Sequence, residues 1–196
     1  MPKKVLVLLA GGFEEVEAIT PIDYLRRAGI EVTTASIDEN LTVTGSHGIQ
    51  VNADTCLASL LVEGMLKSTA WDAVILPGGV PGSDNLAASK ETASFLVEMA
   101  GSGRWVCAIC ASPARVLSPL GLLEGKKYTC YPGEEQKVTA KAQYRQDRVV
   151  IDGKLITSRG AGTAGEFACA IIEELMGEGQ GEKISSRVLM ACAPNN

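Results

Sequence analysis

The residue with the most evident chemistry is Cys110, which stands between an apolar segment and a segment of helical character. The small residues Ala108 and Ser112 lie two positions before it and two positions after it. This small-x-nucleophile-x-small order is the nucleophile-elbow pattern, in which strand and helix pass too close for large side chains. Pro113 suits the first turn of a helix, where its missing N–H is not needed. We therefore expect a reactive thiol at a strand-to-helix turn, with its pKa lowered by the helix N-terminus.

The alternative for Cys110 is a structural role, because most free cysteines behave as small buried apolar residues. That interpretation is kept for Cys56, Cys107, Cys169 and Cys192. Cys107 and Cys110 also form a C-x-x-C pair, but an extended strand would separate them by ~10 Å, which is too far for a disulfide. The chain has one histidine and no second C-x-x-C. The sequence therefore predicts neither a redox disulfide nor a zinc site.

A reactive cysteine usually needs a group that takes and returns its proton. His47, the only histidine, lies in a predicted loop or ribbon tip. It is either an exposed loop residue without a catalytic role or the base that takes this proton. The other source is a carboxylate at the start of the first predicted helix, among Glu14, Glu15 and Glu17. Acids in a first helical turn usually complement the helix dipole. At this spacing Glu17 can turn inward while Glu14 or Glu15 stays in water, and burial would keep Glu17 protonated at neutral pH.

Two glycines, Gly78 and Gly79, follow the apolar segment 73–76. Glycines allow a close backbone approach, so two N–H groups there could form an oxyanion hole; a plain turn is the alternative. A rival motif lies at 160–165, where the order G-x-G-x-x-G matches a dinucleotide-binding turn. No second strand ending in an acidic residue follows that motif, so the βαβ unit is incomplete. We expect these glycines to serve tight helix–sheet packing, and we expect no cofactor.

The elements that must position these residues alternate between apolar strands and amphipathic helices. Strands are predicted at 5–9, 30–37, 73–76, 105–109 and 128–131, with hairpins at 41–51 and 149–157. Helices are predicted at 15–28, 57–66, 112–117, 164–176 and 182–192, with one more from a cap at Ser83 to residue 100. This alternation indicates one doubly wound α/β domain over residues 1–196, with a mostly parallel sheet and helices on both faces. A site is expected at the carboxyl ends of the strands.

Composition excludes several classes of protein. The 196 residues are 46% hydrophobic and 21% charged, as in globular domains rather than disordered chains. The net charge is -5 and no basic tract is present, which argues against nucleic acid and anionic membranes as partners. No apolar segment reaches the roughly 18 residues of a membrane span. The apolar start at 5–9 is interpreted as a buried strand rather than a signal peptide, so we expect a cytoplasmic protein.

Five stretches together resemble the ThiJ/PfpI superfamily, and within it the branch of the parkinsonism-associated deglycase and its bacterial relatives. They follow in the family's order along nearly the whole chain, at 8–17, 26–30, 76–79, 108–111 and 157–163. The resemblance implies a single flavodoxin-like α/β/α sandwich, usually a homodimer, with a reactive cysteine at the elbow. It also implies that Arg26 and Arg27 lie near the dimer interface.

The resemblance also implies roles for individual residues. By position in the matching stretches, the nucleophile, its protonated partner and the two N–H groups of the oxyanion hole would be Cys110, Glu17, Gly79 and Ala111. Family proteases have a histidine directly after the nucleophile, so the alanine at position 111 argues against protease activity.

The substrate pocket implied by the resemblance contains Gly78, His47 and Tyr131. Tyr131 stands where many members of the branch have a histidine, so a histidine base beside the cysteine is absent. His47 stands where relatives often carry arginine, and we expect it to contact an anion.

The function implied by the resemblance is that of a cofactor-independent cysteine enzyme. Its substrates would be small α-oxoaldehydes such as methylglyoxal, as in a type III glyoxalase, or their protein adducts, as in a deglycase. The alternative is a redox-sensing stress protein or chaperone in which the same thiol is oxidised to a sulfinic acid. A weaker alternative is thiazole or nucleotide metabolism.

Overall fold

A seven-stranded sheet lies at the centre of the computed structural model, which describes residues 2–190. From edge to edge, its strands are β10 (Val149–Asp152), β11 (Leu155–Ser158), β7 (Trp105–Ile109), β6 (Ala73–Leu76), β1 (Lys4–Leu9), β2 (Glu31–Ser36) and β5 (Thr55–Cys56). Neighbouring strands run parallel except β10, which pairs antiparallel with β11. Two short ribbons stand apart from the sheet and pair β3 (Thr42–Thr44) with β4 (Gln50–Asn52) and β8 (Lys127–Tyr128) with β9 (Gln143–Tyr144).

Helices cover both faces of this sheet. The α-helices are α1 (Glu15–Arg27), α2 (Leu57–Val62), α3 (Val80–Ala88), α4 (Lys90–Gly101), α5 (Ala164–Met176) and α6 (Gln180–Arg187). A short π-helix spans Pro113–Leu117 and single 3₁₀ turns span Ser68–Ala70, Glu134–Lys137 and Ala161–Thr163. Within residues 2–190, none of the helices combines the length and the apolar character needed to cross a lipid bilayer.

Successive residues of the central strands point to opposite faces of the sheet. In β1, Val5 and Val7 pack on the face covered by α1 and α5, whereas Leu6 and Leu8 pack on the face covered by α4. Because both faces are covered, the central strands are apolar throughout instead of alternating with polar residues. The predicted flavodoxin-like α/β/α sandwich with a mostly parallel sheet is confirmed.

The order of the strands reverses beside β1. After β1 the chain places β2 and β5 on one side, and then places β6 and β7 on the other. The adjacent carboxyl ends of β1 and β6 therefore form the topological switch point at which α/β folds usually bind ligands. The register pairs Val7 with Ile75 and Leu76 with Ala108, so β1, β6 and β7 end side by side.

The helix predicted from Ser83 to residue 100 is two helices. Helix α3 already begins at Val80, because Pro81 fits the first helical turn, and Ser83 lies buried inside it. The serine that caps a helix is Ser89, whose hydroxyl accepts a hydrogen bond from the Thr92 N–H at 3.1 Å at the start of α4. The predicted cap at Ser83 was therefore wrong.

Other predicted boundaries differ by a few residues. The helix expected to reach residue 66 ends at Val62, two residues before Gly64, which has a positive φ of 67°. The strand predicted at 128–131 is shorter and covers only Lys127–Tyr128, so it begins one residue earlier and ends three residues earlier than predicted. The last helix begins at Gln180 and ends at Arg187, and Cys192 lies outside the described residues.

Candidate active site

The carboxyl ends of β6 and β7 bring Gly78 and Cys110 together, and the first turn of α1 adds Glu17. A Cβ atom built on Gly78 would lie 2.5 Å from the Cys110 Cβ, 3.1 Å from its Sγ and 2.5 Å from the Glu17 Oε2. Any side chain at position 78 would therefore separate the sulfur from the carboxyl group. Glycine is needed here so that a strand-end backbone, a thiol and a carboxyl group can share one small space.

The strand-to-helix turn predicted at Cys110 is present. Cys110 has a φ of 65°, a left-handed conformation that is uncommon for a residue with a side chain and costs on the order of 1–3 kcal/mol. The cysteine is half-buried, while Ala111 and Ser112 behind it are fully buried. The Ser112 hydroxyl donates to the Pro77 carbonyl at 2.6 Å and so ties the start of the π-helix to the end of β6. The strained turn is held from behind and presents the sulfur toward Glu17.

Glu17 is only 1% exposed, and its Oε2 accepts a hydrogen bond from the Gly78 N–H at 2.8 Å. Burial is the main cause that raises its pKa to about 7, and the charge of Glu14 acts in the same direction. Hydrogen bonds from Cys110 and Gly78 act against this increase. A carboxyl group with a pKa near 7 exchanges its proton at physiological pH, which is what proton transfer in catalysis requires.

The expectation that the pKa of Cys110 is lowered is wrong in direction. Burial raises the pKa of the Cys110 thiol above its ordinary value, and the negative charge of Glu17 raises it further. Hydrogen bonds from the N–H groups of Gly79 and Ala111 act in the opposite direction but are weaker. The two side chains therefore titrate as a pair that holds two protons below about pH 7 and one proton above it.

The N–H groups of Gly79 and Ala111, at the start of α3 and of the turn into the π-helix, lie near enough to the sulfur to favour its anion. Gly79 has a φ of 86°, and a Cβ there would lie 2.7 Å from the Glu14 nitrogen and would clash with the Gly12 carbonyl oxygen. Only glycine therefore allows the N–H at position 79 to face Cys110. Two backbone donors beside the sulfur are the arrangement that an oxyanion hole needs.

Tyr131 lies beside this site through its backbone. Its N–H donates to the Cys110 carbonyl at 2.8 Å, and its side chain is 53% exposed. A Cβ on Gly160 would lie 3.4 Å from the Tyr131 ring and 3.8 Å from the Glu17 Oε1, so Gly160 separates these two side chains. An open cavity of about 370 Å³ continues outward from here and is lined by Tyr131, Pro132, Arg148, Arg159 and residues 160–163.

Sequence analysis missed the position of Gly160 in the site and assigned the glycines at 160–165 to helix–sheet packing. The first glycine of that motif instead lies against Tyr131 and Glu17. The last, Gly165, packs on the C-terminal segment, where a Cβ would lie 2.6 Å from the Met190 sulfur. The signal for a site residue was the position of Gly160 two residues after the end of β11.

His47 makes its contacts with carboxylates rather than with the sulfur. Its Nδ1 lies 3.0 Å from the Glu15 Oε2 and 3.5 Å from the Glu14 Oε2, and hydrogen bonding to Glu15 raises the pKa of His47. The expected contact of His47 with an anion is therefore made by the protein's own side chains. The other oxygen of Glu15 accepts the N–H groups of His47 and Ile49 at 2.8 and 3.3 Å.

Glu15 is 5% exposed, so both Glu15 and Glu17 are buried, and only Glu14 keeps partial contact with water. Burial acts to raise the pKa of Glu15, but the donors around it, led by the His47 ring, lower it to about 2. Among residues 2–190, Glu14, Glu15 and His47 form the group whose ligand atoms lie within 4.8 Å of one another, close enough for a metal ion. Protein donors already occupy the Glu15 oxygens, so we assign no ion to this group.

The remaining sequence candidates lie outside the site. Cys107 is fully buried in β7, where burial raises its pKa, and Cys107 and Cys110 are both free thiols. Arg26 pairs with Asp54 at 3.2 Å, and Arg27 pairs with Asp23 within α1 at 2.6 Å. Both arginines are on the helix that carries Glu17, at its opposite end.

Comparison with known proteins shows where this sequence and this fold occur. The chain is 40% identical over 192 residues to the protein dj-1beta of Drosophila melanogaster, covering 97% of this chain and 99% of that protein. It is similar to the crystal structure of Drosophila DJ-1beta with a TM-score of 0.89 over 98% of this chain and all of the other. A deglycase from Pyrococcus horikoshii is 34% identical over 157 residues, which cover 80% of this chain and 89% of the deglycase.

A plant relative is longer than this chain. The chain is 40% identical over 194 residues to DJ-1 homolog B of Arabidopsis thaliana, which is 99% of this chain but 43% of that protein. It therefore spans about half the length of such plant relatives. The family model described as the DJ-1/PfpI family matches residues 3–174, which include every candidate site residue named above. The chain belongs to the DJ-1/PfpI family.

Proposed function

We propose that this protein is a cofactor-independent cysteine enzyme that converts α-oxoaldehydes into 2-hydroxy acids. The observation that carries this proposal is the meeting of a strained, half-buried thiol with a carboxyl group whose pKa is raised to about 7. Two backbone N–H groups at the same sulfur complete the arrangement. A nucleophile, a proton carrier and an oxyanion hole are the groups that this chemistry needs.

In the first step, the Cys110 sulfur bonds to the aldehyde carbon and the C=O π bond breaks. The thiol proton passes to the Glu17 carboxylate, which is the base form of the pair above about pH 7. The N–H groups of Gly79 and Ala111 stabilise the negative oxygen as it forms. Return of the proton from Glu17 to this oxygen gives a neutral hemithioacetal.

In the second step, Glu17 removes the proton from the former aldehyde carbon and delivers it to the oxygen of the neighbouring ketone, whose C=O π bond breaks as the C=C bond of an enediol forms. Glu17 then takes the hydroxyl proton from the first carbon and delivers a proton to the second carbon, so the C=O bond of a thioester of a 2-hydroxy acid forms. The first carbon is oxidised and the second is reduced, so the conversion needs no external electron carrier. Water then breaks the thioester, which releases the acid and restores the thiol.

The relative from Pyrococcus horikoshii, which is called a deglycase, supports a related substrate class. Early adducts of α-oxoaldehydes on amines contain a carbon that the same sulfur could attack, with the amine as leaving group. The open cavity beside Tyr131 offers room for the larger remainder of such an adduct. We therefore include protein adducts of α-oxoaldehydes among the proposed substrates.

The test compares the turnover of methylglyoxal by the variant Cys110→Ser with that by the control variant Cys169→Ser. Cys169 is a matched control, because it is also a half-buried free cysteine. Loss of the nucleophile should lower kcat/KM on the order of a thousandfold or more, whereas the control variant should keep it. A Cys110→Ser variant that still converts methylglyoxal at the rate of the unmodified protein would refute the proposal.

Oxidant sensing is a second candidate function, because Cys110 combines a half-buried sulfur with a neighbouring carboxyl group that can hold a proton. One peroxide molecule would oxidise the thiol to a sulfenic acid with release of water, and a second would give a sulfinic acid that Glu17 could bind. After mild peroxide treatment, mass spectrometry should find this oxidation centred on Cys110. Oxidation spread equally over all cysteines would contradict a sensing role for Cys110.

We also propose that the protein forms a homodimer through the exposed side of α1. Val16 and Ile19 are 47% and 41% exposed and lie three residues apart, so they share one face of the helix. Sedimentation should show a dimer that Ile19→Asp converts into a monomer. The matched variant Val97→Asp, at a 49% exposed position of α4, should remain dimeric. A monomeric unmodified protein would disprove the proposal.

A further inference from the structure

A cluster of charged side chains lies behind Cys110 and has no part in the proposed chemistry. At its centre is Arg115 of the π-helix, whose side chain is only 17% exposed. Its Nε and Nη2 donate to the two oxygens of Glu134 at 2.7 and 3.2 Å, and its Nη1 donates to the Asp84 Oδ1 at 2.7 Å. Lys137 adds a further contact to Glu134 at 2.7 Å, so two positive and two negative charges balance.

Each partner of Arg115 belongs to a segment that adjoins Cys110 or Gly79. Asp84 lies in α3, the helix that begins directly after Gly79. The N–H of Glu134 donates to the Tyr131 carbonyl at 3.0 Å, and the Tyr131 N–H donates to the Cys110 carbonyl at 2.8 Å. One guanidinium group therefore connects α3, the π-helix and the turn at 131–134.

The geometry of these contacts explains why one side chain could hold three segments. A guanidinium group is planar and forms two parallel hydrogen bonds with a carboxylate, which restrains direction as well as distance. Partial burial protects the pairs from water and salt, so they restrain more than exposed ion pairs do. The positive φ of Cys110 persists only if its surroundings enforce it, and Arg115 lies five residues from that turn.

We propose that Arg115 is a positioning residue for Cys110, and that it positions the turn at Cys110 by holding together the three segments that adjoin it. The part that concerns turnover rests on the proposed function, whereas the part that concerns thiol reactivity does not. If the three segments separate, the N–H groups of Gly79 and Ala111 move relative to the sulfur and stabilise its anion less. Small displacements of this kind reduce rates strongly without unfolding the protein.

The variant Arg115→Lys tests this idea, because lysine keeps the charge and loses the planar pair of donors. The matched control is Arg104→Lys. Arg104 directly precedes β7 and Asp72 directly precedes β6, and the Arg104 Nη1 lies 3.5 Å from the Asp72 Oδ1. This pair is therefore at the amino ends of β6 and β7, whereas Cys110 follows the carboxyl end of β7. Both variants replace a partly buried arginine that joins neighbouring segments of the chain, but only Arg115 acts at the end of the sheet that carries Cys110.

The first measurement is the rate at which iodoacetamide alkylates Cys110 as a function of pH, followed by mass spectrometry of the peptide that contains it. Arg115→Lys should lower this rate on the order of tenfold at pH 7 and move its pH profile upward, because the sulfur anion is less well stabilised. Arg104→Lys should keep both the rate and the profile. An unchanged rate and profile in Arg115→Lys, or an equal change in Arg104→Lys, would overturn the proposal.

Turnover of methylglyoxal is the second measurement and separates this proposal from the proposed function. If the unmodified protein lacks turnover while Arg115→Lys still slows alkylation, the proposed function fails and the positioning role stands. If turnover is present, Arg115→Lys should lower kcat more than it raises KM, because no contact with substrate is removed.

Asp84→Asn is the second variant in case Arg115→Lys does not fold, since Asp84 is 55% exposed and the pair with Glu134 remains. It should slow alkylation of Cys110 by a few-fold. A rate equal to that of the unmodified protein would count against the connection to α3.

Discussion

Glu15 and Glu17 lie in the same first turn of α1, two residues apart, and both are buried. Their pKa values nevertheless shift in opposite directions, to about 2 for Glu15 and to about 7 for Glu17. Burial acts on both carboxyl groups in the same direction, because it disfavours the charged form. Glu17 lies deeper than Glu15, so the difference comes both from the depth of burial and from the groups that face each carboxyl group.

The donors around each carboxyl group account for the part of this difference that burial does not. Glu15 forms hydrogen bonds with the ring of His47 and accepts hydrogen bonds from the N–H groups of His47 and Ile49, all in the segment between β3 and β4. Glu17 accepts a hydrogen bond from the Gly78 N–H and one from the Cys110 thiol, which is a weak donor. One carboxylate therefore anchors a ribbon as a permanent charge, whereas the other can exchange a proton near pH 7. Four experiments test whether the two carboxyl groups differ in this way.

Glu17→Gln should have the largest effect, because it removes the proposed proton carrier and keeps a side chain of similar shape. We expect kcat/KM for methylglyoxal to fall by about 10²–10⁴. In the unmodified protein kcat/KM should rise with pH through about 7, as Glu17 loses its proton, and this rise should be absent from the variant. A variant with an unchanged rate or an unchanged pH profile would show that Glu17 carries no proton in the reaction.

The second experiment compares the stability of the same two proteins at different pH. The folded-state pKa of Glu17 lies above the ordinary value of 4.5, so the folded protein binds this proton more tightly than the unfolded chain does. Protonated Glu17 therefore contributes to stability below pH 4.5. This contribution, about 3 kcal/mol in total, is lost as pH rises through about 7.

Urea unfolding at pH 5 and pH 8 measures this loss. Between these values the unmodified protein should lose up to about 3 kcal/mol of stability relative to Glu17→Gln. If the stability of both proteins depended on pH in the same way, ionisation of Glu17 would not destabilise the folded protein.

Glu15→Gln should act in the opposite way and lower stability at neutral pH. The change removes the charge that the surrounding donors stabilise, and hydrogen bonds to a charged group contribute roughly 1.5–3 kcal/mol. Because the pKa of Glu15 is lowered to about 2, its contribution is present above pH 4.5 and is lost as pH falls through about 2. Urea unfolding should therefore show a loss of about 2 kcal/mol at pH 7 and a smaller one at pH 3. A larger loss at pH 3 would contradict the assignment.

His47→Gln should have the smallest effect, because this side chain is 68% exposed. Its pKa is raised by hydrogen bonding to Glu15, so the charged ring contributes stability that is present below pH 6.5 and is lost as pH rises through the raised value. The unmodified protein should be slightly more stable than the variant at pH 6, and this difference should shrink at high pH. Thermal unfolding across this range measures it, and a difference independent of pH would speak against a charged pair.

The pattern of residues predicted the sheet, the elbow at Cys110 and the inward position of Glu17. These depend on local rules: apolar strands buried on both faces, small residues where backbones cross, and helical spacing. The same reasoning failed for the pKa of Cys110, because a helix N-terminus was considered without the burial and the neighbouring charge that outweigh it. It also failed for Ser83, since Pro81 allows the helix to begin three residues earlier.

By itself, the amino-acid sequence determined which segments form strands and helices and which residues stand at the ends of the strands. Periodicity and glycine positions suffice for this, because they act over a few neighbouring residues. Only the tertiary structure decided which groups surround each side chain. Gly78 meets Glu17 across 61 positions of the chain, and Arg115 meets Asp84 across 31. Charge, burial and hydrogen bonding act through space, so the chemistry of Cys110 is decided by contacts that no local pattern contains.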